Sequence, residues 1–124
     1  MSEIERFFEA YRNTGESNKS LAPYYHAPCL TLRGDGSFVS LQSVDDLARF
    51  FQTLADTFDS QGLVKFPYKD FSAESLGPRS AFVTMTWEAL KADGTLGREW
   101  RQSYNLVRFG EKWEIVLSTI HVGA

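Results

Sequence analysis

His26 and His121 are the side chains of this 124-residue sequence that can exchange a proton near neutrality without a large shift from their surroundings. His121 stands near the end of the last predicted strand. A register that turned it inward beside Tyr25 or Glu88 would make a general acid–base pair. The alternation of that strand puts His121 on the face opposite Ser118, which favours a structural histidine. His26 and Cys29 imitate half of a zinc site, but no second pair of Cys or His follows at ligand spacing, so no metal is expected. An apolar strand raises the pKa of a thiol, so Cys29 reads as a buried thiol and not as a nucleophile. Arg33, if it faced inward, would hold a carboxylate or enolate through paired contacts, although a solvated strand-end charge is the ordinary role of such a residue. Gly34-Asp35-Gly36 is read as a turn, because no helix starts after it to hold a phosphate.

The elements that must position these groups can be read from periodicity. Ser2 and Glu5 have capping-box spacing ahead of Ile4, Phe7, Phe8 and Tyr11, which form one helical stripe ending near Asn13 to Gly15. A short second helix is expected between Ser17 and Tyr25, limited by Pro23, and Pro28 pushes the chain towards extended structure. Cys29 to Arg33 and Ser37 to Leu41 are expected to pair across Asp35-Gly36. A third helix opens at Ser43, carries the stripe Leu47, Phe50, Phe51, Leu54 and Phe58, and stops at Gly62.

After Gly62 the period becomes two. Leu63 to Phe71 is expected as one edge strand, since Pro67 removes a ladder donor. Arg79 to Lys91 places Ala81, Val83, Met85 and Trp87 on one face. Arg98 to Phe109 places Ser103, Asn105 and Val107 opposite Trp100, Gln102, Tyr104 and Leu106. The last strand sets Trp113, Ile115, Leu117, Thr119 and His121 against Val116, Ser118, Ile120 and Val122. It is apolar on both faces, as a covered central strand or a subunit contact would be. Helices first and an antiparallel ribbon last predict an α+β fold whose curved sheet wraps a cavity against a helix.

Composition bounds the function. Residues 1–124 have the length of one domain and, with 43% hydrophobic and 15% aromatic residues, enough apolar surface to bury a core. A net charge of −3 and thirteen scattered Lys and Arg give no footprint for nucleic acid. The acidic start shows no signal peptide or membrane span, and the one cysteine agrees with a reducing compartment, so a cytoplasmic location is expected.

The order helix, short helix, hairpin, long helix and meander resembles the nuclear transport factor 2-like superfamily, in its SnoaL-like and ketosteroid-isomerase-like branch. Local pieces that fit are Phe7-Phe8-Glu9-Ala10-Tyr11, the stretch from Leu21 to Leu32, Tyr104 to Phe109 and Lys112 to Val116. The YYHAPC run and Thr119-Ile120-His121-Val122 are closer to a SnoaL-related group of unassigned function. The resemblance implies a cone-shaped fold with a curved, mostly antiparallel sheet wrapped around the N-terminal helix. Carried over residue by residue, the isomerase's helix tyrosine falls on Phe8 with Tyr11 one turn on, its general base on Arg33, and its buried acid on Asn105. A guanidinium cannot act as base near neutral pH, so that mechanism does not transfer, while Asn105 could still donate to an oxyanion.

The expectation is therefore a pocket lined by Phe8, Tyr11, Tyr25, Val83, Met85, Trp87, Asn105 and Ser118, with Arg33 at its mouth and His121, Tyr25 and Asn105 as candidate catalytic residues. Its ligand would be a small apolar or carbonyl-containing metabolite, handled by isomerase-, cyclase- or hydratase-type acid–base chemistry. The other reading is a noncatalytic binding or assembly domain whose cone is filled by side chains, since Met and aromatic stripes are core residues first. A homodimer through the outer strand faces, and no cofactor, complete the expectation.

Overall fold

The computed structural model describes residues 2–123. Helix α1 spans Glu3–Glu16, and its first turn is closed by a capping box: the Ser2 hydroxyl accepts from the Glu5 amide at 3.1 Å while the Glu5 carboxylate accepts from the Ser2 amide. The chain then makes one 3-10 turn, Ala22–Tyr24, in place of the short helix expected over residues 17–25. Strand β1 (Tyr25–Leu32) follows at once, beginning well before the expected Cys29, and pairs with β2 (Phe38–Leu41) across the turn at Asp35 and Gly36. Gly36 has φ +87°, and the Asp35 carboxylate accepts from both the amide and the hydroxyl of Ser37. Helix α2 (Val44–Ser60) is capped by Ser43 as expected and buries Leu47 and Phe51.

The segment expected as one edge strand over residues 63–71 is two strands, β3 (Leu63–Lys65) and β4 (Tyr68–Ser75), split around Pro67. Both pair with β5 (Ser80–Lys91), which pairs with β6 (Leu96–Phe109), which pairs with β7 (Lys112–Ile120). The seven-stranded sheet runs β2-β1-β7-β6-β5-β3, with β4 also pairing with β5, and every pairing is antiparallel except β1 with β7. The result is the α+β architecture with a curved, mostly antiparallel sheet around α1.

Core and cavity share the inner face. Phe8 of α1, fully buried, packs against Tyr104 (β6) at 5.0 Å and Phe71 (β4) at 6.2 Å between ring centres. Ala81, Val83, Met85 and Trp87 face it from β5, as alternation predicts. In β7 strict alternation fails. Asn105 pairs with Leu117 but Leu106 pairs with Ile115, so Val116 is an extra residue in β7. This bulge puts Ile115 on the same inner face as Ser118, against the expected division of that strand. Among the described residues no helix is long and apolar enough to cross a membrane.

Candidate functional site

Between α1, α2, β1 and the inner face of β5 to β7 lies a cavity of about 850 Å³. That volume lies within the range of small-molecule sites. The α2 stripe Phe50, Phe51, Leu54 and Phe58 forms one wall and Trp87, Trp100 and Ile120 the facing one.

Three tyrosines gather in its wall. The hydroxyls of Tyr11 (α1) and Tyr25 (β1) lie 2.7 Å apart, the Trp87 indole N–H donates to the Tyr104 hydroxyl at 2.8 Å, and the Tyr104 hydroxyl in turn reaches that of Tyr11. Burial holds these groups as phenols. Desolvation pushes Tyr11 up to about 12, and raises Tyr25 and Tyr104 well above the ordinary tyrosine value. The chain of four groups holds four protons and three contacts, so in every arrangement one phenolic proton lacks an acceptor within it.

A second chain has the same polarity. The Trp100 N–H donates to the Gln102 amide oxygen at 2.9 Å, and the Gln102 amide nitrogen donates to the Ser118 hydroxyl at 2.5 Å. Ser118 is 1% exposed. The cavity wall therefore carries a phenolic proton that no contact within the tyrosine chain takes.

Of the expected site residues, Tyr11, Tyr25, Trp87, Ser118 and Arg33 line this cavity. Phe8, Val83 and Met85 do not. They are fully buried and form solid core beside it. Asn105 is a correction: it lies on the outer face of β6, where its amide donates to the Ser80 hydroxyl at 3.0 Å and to the carbonyls of Ala81 and Leu106. The alternation that turns Gln102, Tyr104 and Leu106 inward turns Asn105 outward. His121 also lines the cavity, and its Nε2 lies 2.8 Å from the Ser103 hydroxyl. The ring therefore pairs with Ser103 and not with Tyr25 or Glu88. His26 stacks on Phe109 at 4.1 Å between ring centres, and its Nδ1 lies 3.1 Å from the Glu114 carboxylate, away from Cys29 chemistry. The Cys29 thiol is buried and raised to about 11 by desolvation.

A family model described as NTF2-like protein (DUF6841) matches residues 2–122. The chain belongs to this NTF2-like family. Solved structures similar to this DUF6841 chain include Aln2 from a Streptomyces species, 13% identical with TM-score 0.77 over 95% of this chain and 86% of that one. Another is an NTF2-like protein with a cystatin-like fold from Novosphingobium aromaticivorans, 14% identical with TM-score 0.75 over 98% and 82%. A third is an NTF2-like protein of unknown function from Shewanella oneidensis, 11% identical with TM-score 0.74 over 94% of each chain. At these identities the likeness is one of fold. No curated protein matches the sequence.

Within this NTF2-like cone, sequence reasoning missed Gln102, Tyr104 and Trp100 as site residues. The signal was present: the predicted strand already set them on the face opposite Asn105.

Proposed function

We propose that this NTF2-like chain is a small-molecule-binding domain whose ligand carries an oxygen acceptor, a ketone or quinone being the simplest form, on an apolar, aromatic body. One observation carries the reading: a cavity of about 850 Å³ whose cluster of Tyr11, Tyr25, Tyr104 and the Trp87 N–H has one more proton than it has hydrogen bonds. An apolar body suits the phenylalanine and tryptophan walls, and its oxygen would take the spare phenolic proton. Such donors also stabilise an enolate oxygen, the electrophilic half of isomerase- or cyclase-type chemistry. The proton-accepting half has no counterpart at the cluster, because none of the hydrogen bonds of these three phenols goes to a carboxylate or an imidazole. Glu16, at the cavity edge, already accepts from the Phe66 amide at 2.7 Å and from Arg12 at 3.1 Å. Binding without acid–base turnover is therefore the favoured reading.

The test is a fluorescence titration with 2-acetylnaphthalene and with 2-ethylnaphthalene, which has the same shape without the oxygen. Trp87 and Trp100 line the cavity and report its occupancy. Saturable quenching by the ketone, several-fold tighter than by the hydrocarbon, is expected from one hydrogen bond worth about 1 kcal/mol. Absence of quenching, or equal affinity, contradicts the reading.

We further propose a homodimer through the outer sheet face, where Phe82 is 41% exposed and Leu30 40%. Light scattering is expected to give twice the chain mass, falling to one chain mass in Phe82→Asp. A monomeric native protein contradicts this.

A further inference from the structure

The cavity lining carries a charge opposite to that of the chain. Five basic side chains line it, Arg12, Lys19, Arg33, Arg49 and Arg98, against three acidic ones, Glu16, Asp35 and Asp59. That is a surplus of two positive charges in a sequence whose net charge is −3. Ion pairs account for most of them: Arg12 with Glu16, Arg33 with Asp35, and Arg49 with Asp46.

Arg33 also lies over a ring, Phe50 at 5.8 Å, but has the Asp35 carboxylate 3.9 Å away, whereas Arg98 lies over two rings and outside these ion pairs. Its guanidinium lies over the ring of Phe58 at 5.7 Å and over Trp100 at 5.5 Å, two rings that themselves stack 6.0 Å apart. Among the described residues no carboxylate or carbonyl takes its N–H groups. Stacking fixes the plane of a guanidinium and leaves its edge, the part that grips an oxyanion through two parallel hydrogen bonds, open. Lys19, the other basic lining residue outside these ion pairs, has no ring beneath it and lies on the loop after α1.

We propose that Arg98 is a specificity-determining residue for a carboxylate on the ligand, so that the molecule is an aromatic or alicyclic acid with a second oxygen at its buried end. This rests on the cavity's being a ligand site. The carboxylate docks on the Arg98 edge above Phe58 and Trp100, the ring system fills the space along α2, and the far oxygen accepts from the tyrosine cluster.

The test compares 6-acetyl-2-naphthoate with 6-acetyl-2-naphthamide, which keep the same buried ketone and differ in charge at the mouth. In the native protein the acid is expected to bind about tenfold more tightly than the amide, as a charge-assisted pair requires. Arg98→Met retains the apolar stem over the rings and is expected to remove that preference, weakening the acid by about tenfold and the amide by less. Raising the salt concentration is expected to weaken the acid alone, a check that needs no variant. Equal affinities in the native protein, or a preference that survives Arg98→Met, overturn the inference. If 2-acetylnaphthalene binds in that case, the cavity reading stands and only the anion site falls. If none of the naphthyl compounds binds, both fall.

Discussion

Phe8→Ala is expected to lower the unfolding free energy by about 3–5 kcal/mol, the cost of removing a fully buried aromatic ring from a core that cannot collapse around the gap. Phe8 is 0% exposed and touches ring neighbours on three elements: Phe7 and Tyr11 of its own helix, Tyr104 of β6 and Phe71 of β4. With Tyr11, which packs against Trp87 and Tyr104, it seats α1 inside the curved sheet. Domains of this size are stable by about 5–15 kcal/mol, so the variant would lose a large part of its margin. Urea unfolding followed by tryptophan fluorescence measures the change. Phe38→Ala is the control, since Phe38 is 63% exposed and its truncation is expected to stay within about 0.5 kcal/mol. A loss below about 1 kcal/mol for Phe8→Ala would contradict the packing of α1 against the sheet.

The tyrosine cluster makes the fold sensitive to alkali. Burial raises the folded-state values of Tyr11, Tyr25 and Tyr104, whereas in the unfolded chain a tyrosine ionises at about 10. The protonated phenols contribute stability that is fully present below about pH 10. Above it the unfolded chain releases protons that the folded chain still holds, so stability is lost as pH rises from about 10 towards the folded values. Each such phenol withdraws about 1.4 kcal/mol per pH unit, and three together about 4 kcal/mol per unit. Tyr68 adds to this: desolvation and its 2.6 Å hydrogen bond to the Glu9 carboxylate also raise it. Phenolate absorbance and far-ultraviolet circular dichroism, recorded together on raising the pH, are expected to change in one cooperative step between about pH 11 and 12. Reversible ionisation of Tyr11, Tyr25 and Tyr104 near the ordinary value, with the dichroism intact, would contradict the burial of the cluster.

Much of this fold was legible because local signals agreed with one another. The stripes Ile4, Phe7, Phe8, Tyr11 and Leu47, Phe50, Phe51, Leu54, Phe58 each had one helical solution, with caps at Ser2 and Ser43 to fix where they begin. Ala81, Val83, Met85 and Trp87 could share only one strand face. The bulge at Val116 was not legible, since β7 is apolar on both faces and hydrophobic patterning cannot specify a register there. Nor was the parallel pairing of β1 with β7, which depends on how distant strands meet and not on either strand's own pattern.

At the site, Tyr11 followed from helix phase and Trp87 from strand alternation, whereas Tyr25, expected at the end of a short helix, opens β1 instead. Asn105 entered the expected site by correspondence with another protein's buried acid, and the pleat of β6 places it on the other face. Arg98 gave no signal, because a single charge at a strand start looks solvated until Phe58, far earlier in the chain, is brought beneath it.

The central claim is that the phenolic cluster holds a spare proton for an oxygen of the bound molecule. The infrared carbonyl band of 2-acetylnaphthalene bound to the protein measures this directly. The account predicts a band displaced to lower frequency than that of the same ketone in hydrocarbon solvent. A bound ketone whose carbonyl vibrates as it does in hydrocarbon would contradict it.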